Sequence, residues 1–232
     1  MSVSFTIDPI HGKIDFPIWF ENIKDHPLLL RTMYIRQLGL KSSIDYPGAI
    51  HTRYSHLLGT MHLARQLCNI LERKATNDKM KSIISDNKEN VVAAALFHDV
   101  GHGPFSHALD YVLYKYSNKT HELLSTDIIK KIYEDGKLIQ HNLNLDTIIG
   151  LIQSSNFHTP LLKQIIDGPL DVDKLDYLLR DSYHVGLRYS FDVQLFLEQY
   201  KIIGDESDST SCELGLVNTC LLYTSPSPRD RG

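Results

Sequence analysis

Cysteine is scarce in this chain. Its three, Cys68, Cys212 and Cys220, are odd in number and lie at no metal-ligand spacing, which argues against a disulfide framework and fits a reducing compartment. Cys68 sits in an apolar helical stretch and reads as a buried thiol. No run approaches the roughly 18 apolar residues that a membrane-spanning helix needs. No cleavable leader pattern opens the chain, because Asp8 interrupts its start before any long apolar run. A cytoplasmic location, or a nuclear one in a eukaryote, is expected, with no membrane partner. An excess of basic charge is missing too: the formal charge is −4, so bulk attraction to nucleic acid or an anionic surface is lacking. Arg36, Arg53, Arg65 and Arg73 carry positive charge, but no basic run interleaves with aromatics, so nucleic acid is not an expected partner.

What the chain does have is histidine, 12 of them in 232 residues, several in short clusters. Its 42% hydrophobic and 22% charged content is that of a globular protein able to bury a core, as one generous domain or two small ones.

Residues 4–16 alternate apolar and polar around the turn signal Pro9 to Gly12, which predicts a small β-hairpin. Helical patterns then take over. Pro27 starts a predicted helix to Leu38, with Leu30, Tyr34 and Leu38 four apart, and Ser42–Gly48 reads as a loop. A longer helix runs from His51 or Thr52 to about Lys74 on the stripe Leu57, Met61, Ala64, Leu67 and Leu71. The polar stretch 75–89 reads as a surface connection. Further helices are expected at about 90–99, 106–117, 121–134, 145–153, 160–167, 172–182 and 191–202. The expected fold is all-α with one short N-terminal hairpin. From Gly204 the chain turns acidic and rich in Ser and Thr, so 204–232 is expected to be an irregular tail. Its ending, LLYTSPSPRDRG, has no helical or strand period and resembles translated adaptor sequence; residues 219–232 are expected to be non-native, and the chain to be C-terminally truncated.

The densest chemistry follows a small-residue apolar helix, VVAAALF, which ends on His98 and Asp99 and runs into GHGPFSH. Gly101, Gly103 and Pro104 bend the backbone so that His102 and His107 can return toward the same pocket. Four residues from three helical segments, His56, His98, Asp99 and Asp173, could close a metal site in a bundle whose facing helices project ligands inward. Imidazole nitrogens with carboxylate oxygens suit one borderline to hard divalent ion: iron, manganese, zinc or magnesium. For His56 taken alone, a hydrogen-bonded core histidine is the plainer reading. Arg53, one turn before His56, and Lys174, next to Asp173, are placed to hold phosphates, although an isolated Arg or Lys is more often a solvated helix surface. His107 and Asp110 are spaced i,i+3, so the carboxylate could orient the imidazole. Asp173, Asp176 and Tyr177 share one helix face, away from Leu175, Leu178 and Leu179.

HTRYSH (51–56), FHDVGHGPFSH (97–107), THE (120–122) and DVDKLDYLLRD (171–181), with DPIHG (8–12) and YIRQLG (34–39), occur in an order that resembles the HD superfamily of metal-dependent phosphohydrolases, and within it the deoxynucleoside triphosphate triphosphohydrolase branch. The resemblance covers about residues 5–203 and implies an HD-domain helical bundle over 1–203. It implies metal ligation by His56, His98, Asp99 and Asp173, and hydrolysis of a dNTP to deoxynucleoside and triphosphate. It further implies that His107 acts near the scissile bond and that His102 and His121 line the phosphate channel. On chemistry alone, His121 could equally be a helix-start residue facing water. Gln37 and Asp181 are implied to bind the 3′-hydroxyl, Tyr177 to stack below the ribose, and Leu38 to fill the space a 2′-hydroxyl would need. Without the resemblance, plain core packing suits Leu38 and Tyr177 better.

Vertebrate members of that branch read guanine at a tetramer interface. The matching aspartate here is Asp25, but Leu30, Met33 and Ile7 replace the other polar positions, and neither Leu nor Met offers donors or acceptors to a guanine edge. Guanine-nucleotide activation of that kind is not expected, whereas a homo-oligomer through the same apolar surface is compatible. Two other functions compete: phosphohydrolysis of another nucleotide or nucleotide-derived signal, and a non-catalytic module binding nucleotide or single-stranded nucleic acid.

Overall fold

The computed structural model describes residues 4–105, 111, 114–116, 121–153, 157–187 and 191–217. The hairpin forms as expected: β1 (Phe5–Asp8) pairs antiparallel with β2 (Gly12–Asp15), in the register Phe5↔Asp15 to Asp8↔Gly12. Asp8 closes the turn, its Oδ1 accepting the backbone N–H groups of Ile10 at 2.9 Å and His11 at 3.0 Å. A 3-10 turn, Ile18–Asn22, then drives Trp19 and Phe20 into the core.

The helix expected over 27–38 is shorter. α1 (Pro27–Leu30) passes into a 3-10 turn, Arg31–Tyr34, and Ile35 is extended. The chain leaves the helix because its backbone pairs with the segment before the next one: Arg53 N–H donates to Ile35 O at 2.8 Å and Gln37 N–H to His51 O at 3.0 Å. The expected loop that follows contains a single helical turn, α2 (Lys41–Ile44).

α3 (Arg53–Lys74) is the central element. Thr52 caps it, and the predicted stripe from Leu57 to Leu71 is buried. Against it lies α4 (Asp78–Phe97), capped by Asn77. Residues 78–89 therefore belong to a helix, not to a surface connection. Met80 and Ile84, spaced i,i+4 among polar neighbours, are both fully buried and make that stretch amphipathic. Cross-links from Thr60 to Ala95, Arg65 to Glu89 and Lys88 to Glu72 show that the two helices run antiparallel.

The remaining described helices are α5 (His121–Asp135), α6 (Leu145–Gln153), α7 (Pro160–Ile166), α8 (Val172–Val185) and α9 (Val193–Leu197). The helix expected at 106–117 falls largely outside the described residues, as do Cys220 and the segment 219–232. Asp171 caps α8, and Gly186, at φ +76°, ends it in the left-handed conformation that glycine tolerates. The helix expected over 191–202 stops at Leu197. Tyr200 onward forms β3 (Tyr200–Ile203), which pairs antiparallel with β4 (Glu213–Leu216) inside the stretch expected to be irregular. This second hairpin is tied to the bundle through Gln164 Oε1, which accepts Leu214 N–H at 2.6 Å, and through Lys74 Nζ, which donates to Tyr200 O at 2.9 Å. The fold is all-α with short hairpins, and among the described residues no helix is long and apolar enough to cross a membrane.

Candidate metal centre

Three helix ends meet at one point. The first turn of α3 supplies His56, the C-terminus of α4 supplies His98 and Asp99, and the first turn of α8 supplies Asp173. His56 Nε2 lies 3.0 Å from Asp173 Oδ1 and 4.0 Å from Asp99 Oδ2, and His98 Nε2 lies 3.5 Å and 3.7 Å from the same two oxygens. Donor atoms of His56, His98 and Asp99 all fall within 4.8 Å of one another, a separation one cation can bridge.

The far side of each ring fixes its orientation. His56 Nδ1 donates to Asp176 Oδ2 at 2.7 Å, and His98 Nδ1 donates to Ala95 O at 2.8 Å. Both Nε2 atoms are buried, outside any hydrogen bond, and turned toward the carboxylates. Two imidazoles held this way beside two carboxylates fit a divalent ion.

The electrostatics agree. Burial alone would lower the His56 pKa, but the carboxylates of Asp173 and Asp176 reverse this and raise it to about 10. His98 is raised too, against its burial, chiefly by Asp99 and Asp173. Burial pushes Asp99 and Asp173 up, yet His98, His102 and Arg53 for the first, and His56 and His98 for the second, hold them well below the usual carboxylate range. The cluster holds concentrated negative charge that a cation, or protons in its place, must balance.

Around Asp99, Arg53 donates to Oδ2 and His102 Nε2 stands 3.2 Å from Oδ1. Of the four residues expected near phosphate, Arg53 and His102 thus lie against Asp99. Arg31, which the sequence did not single out, donates to the carbonyls of Val100 and His102 and so holds the glycine turn in place. Lys174 is a correction. Its ammonium donates to Asp171 Oδ2 at 2.6 Å and Gly168 O at 2.8 Å, anchoring the start of α8 instead of turning to the cluster. His107 and Asp110 lie outside the described residues, and so does the side chain of His121, whose backbone opens α5.

Of the residues expected to meet a sugar, Tyr177 and Asp181 share a helix with Asp173, and Gln37 is linked to Asp181 through His51. Asp173, Tyr177 and Asp181 succeed one another at i, i+4 and i+8 along α8. His51 Nε2 lies 2.7 Å from Asp181 Oδ1, its carbonyl accepts Gln37 N–H, and its ring stacks on His184 at 4.4 Å between centroids. Gln37 Oε1 and His51 Nδ1 are buried without a hydrogen-bond partner, and Leu38 is half-buried. His51 and His184 were not anticipated; the HTRYSH motif and the residues after DYLLRD were their only signal.

The sequence pattern of the family described as HD domain matches residues 53–181. The chain is 32% identical over 211 residues to the uncharacterized protein MG461 homolog of Mycoplasma pneumoniae, covering 86% of this chain and 48% of that protein. It is 31% identical over 210 residues to the deoxynucleoside triphosphate triphosphohydrolase SAMHD1 homolog of Dictyostelium discoideum, covering 86% of this chain and 40% of that protein. To deoxynucleoside triphosphate triphosphohydrolase SAMHD1 of Homo sapiens it is 30% identical over 236 residues, covering 88% of this chain and 37% of that protein. The chain thus spans about half, or less, of the length of these relatives.

Proposed function

For this chain, which belongs to the HD-domain family, we propose metal-dependent hydrolysis of a deoxynucleoside triphosphate to the deoxynucleoside and inorganic triphosphate. The observation that carries the proposal is the pair of buried Nε2 atoms, on His56 and His98, turned toward the carboxylates of Asp99 and Asp173. Those four residues would hold the ion. When bound, it supplies Lewis-acid polarisation of a phosphoryl oxygen and orientation of the attacking water.

The chain's own groups supply the rest. Asp99 and Asp173 are 20% and 33% exposed at their side chains, so the cluster opens to solvent on the carboxylate side, where a polyphosphate can enter. Arg53 and His102, buried against Asp99, would offset phosphate charge as it develops. His107, oriented by Asp110, serves as proton donor or acceptor at the scissile bond, and His121 contributes to the phosphate channel. Gln37 and Asp181 take the 3′-hydroxyl, and the unpartnered Gln37 Oε1 is a ready acceptor for it. Tyr177 lies under the sugar, and Leu38 leaves a 2′-hydroxyl without a partner. A second copy of the chain packing on the face of Met33 and Tyr34, 41% and 88% exposed, belongs to the same proposal.

The test is product analysis with the purified chain, the dNTPs and matching rNTPs, and Mn²⁺, Mg²⁺, Zn²⁺ or Fe²⁺. Triphosphate released from dNTPs faster than from rNTPs supports the reading. Phosphate or pyrophosphate as product, or faster turnover of rNTPs, replaces it with phosphohydrolysis of another nucleotide.

A further inference from the structure

Asp176 accepts four hydrogen bonds while fully buried. Its Oδ2 takes His56 Nδ1 at 2.7 Å and Arg180 Nε at 2.7 Å; its Oδ1 takes Arg180 Nη2 at 2.8 Å and His11 Nε2 at 2.6 Å. Arg180, also fully buried, donates Nη1 to Asp8 Oδ2 at 2.8 Å, across 172 positions of sequence. α3 leaves room for this clamp: a Cβ on Gly59, one turn beyond His56, would lie 1.9 Å from Asp176 Oδ1 and 2.5 Å from Arg180 Nη2. Buried ion pairs add little net stability over apolar packing of the same volume, so stability alone is a poor reason to bury three charges here. Their common endpoint is the ring of one proposed metal ligand.

We propose that the N-terminal hairpin turn is the outer part of the metal centre: Asp8 fixes Arg180, Arg180 and His11 fix the Asp176 carboxylate, and Asp176 holds the His56 ring with Nε2 turned to the cation. Asp8, His11, Asp176 and Arg180 are thus positioning residues for a ligand. The inference rests on the metal reading above. Outer partners of this kind typically change metal affinity by about 10–100-fold.

Asp8 has two duties. Its Oδ1 closes the hairpin turn and also accepts Arg180 Nη2 at 3.3 Å, whereas its Oδ2 serves Arg180 Nη1 alone. Asn serves as well as Asp in such a turn, so Asp8→Asn keeps the hairpin while removing the charge and one acceptor. The experiment is calorimetric titration of the metal-free chain with Mn²⁺, for wild type, Asp8→Asn, Arg180→Lys and the hairpin control Lys13→Ala, whose side chain is 56% exposed. Circular dichroism and melting temperature are read alongside, with the downfield His56 Nδ1–H proton resonance in the Zn²⁺-loaded protein. Asp8→Asn and Arg180→Lys are expected to keep the helical spectrum, weaken Mn²⁺ binding about 10–100-fold and shift that resonance, while Lys13→Ala matches wild type. Folded Asp8→Asn and Arg180→Lys proteins that bind Mn²⁺ like wild type overturn the inference and leave the metal reading intact. If only one variant folds, its affinity decides; if neither folds, the clamp is a structural scaffold and the inference fails. A wild-type chain that binds no divalent ion instead removes the metal reading itself.

Discussion

His56 Nε2, at the start of α3, stands 3.0 Å from Asp173 Oδ1, at the start of α8. Asp173 is the proposed ligand whose removal disturbs least, because its side chain is 33% exposed and faces the two histidines. Asp99, by contrast, also pairs with Arg53, which is 97% buried in the sense that only 3% of it is exposed, so Asp99→Ala strips a buried guanidinium of its carboxylate and costs stability besides metal. Asp173→Asn is expected to weaken divalent-ion binding by more than the roughly 10–100-fold typical of outer partners, with the circular dichroism spectrum unchanged. Calorimetric titration checks this, and wild-type affinity in a folded Asp173→Asn protein counts against the ligand assignment.

At the proposed centre, metal binding is expected to depend on pH through His56. Asp176 keeps a proton on Nδ1 and Asp173 favours a second one on Nε2, the pKa being raised to about 10 despite burial, so at neutral pH an incoming ion must displace the Nε2 proton. Affinity is therefore expected to climb about tenfold per pH unit from pH 6 to 9 for the His56 proton, and more steeply wherever His98 also releases one. The sequence alone suggested a fall-off only below about 6.5, the ordinary histidine value. A Mn²⁺ affinity that is flat above pH 7 would contradict the carboxylate-held proton.

Stability at acid pH has a separate origin. Burial, with the neighbouring His11 and Arg65, lowers the His62 pKa from 6.5 to about 4. A histidine depressed in the folded state binds protons more readily unfolded. Its neutral form supports the fold fully above 6.5, and that support is lost as pH falls toward 4. Urea unfolding at pH 7.5 and pH 5 should show wild type losing more stability than His62→Gln; equal losses would assign the acid sensitivity elsewhere.

Ile84 tests the packing of α4. It is fully buried in a stretch whose composition is polar. Ile84→Ala is expected to cost about 2–5 kcal/mol in urea unfolding. A change within about 0.5 kcal/mol, the range of surface substitutions, would mean that this end of α4 is peripheral.

That residue also shows where sequence reading stops. The stripe of α3 was legible because its apolar positions repeat every three or four residues without interruption. Met80 and Ile84 stand alone among charges, and only the tertiary packing that buries them gives them meaning. Ile35 looked helical because its pairing with Arg53 is set by tertiary structure, and Tyr200–Ile203 looked helical because a short apolar run suits either element. In the site, His98 and Asp99 stood out at a helix end followed by glycines, and His56 and Asp173 followed from motif order. Arg180 escaped notice because its partner Asp8 lies 172 positions away, and Lys174 was misplaced because adjacency to Asp173 does not decide where a long side chain goes.

The proposed centre stands or falls on the metal content of the purified chain, determined by inductively coupled plasma mass spectrometry after loading with each divalent ion in turn and removing the excess. One equivalent of a divalent ion per wild-type chain is expected, with a large loss in His56→Ala, His98→Ala and Asp173→Asn. Substoichiometric metal in a folded wild-type protein, or undiminished metal in all three variants, would contradict it.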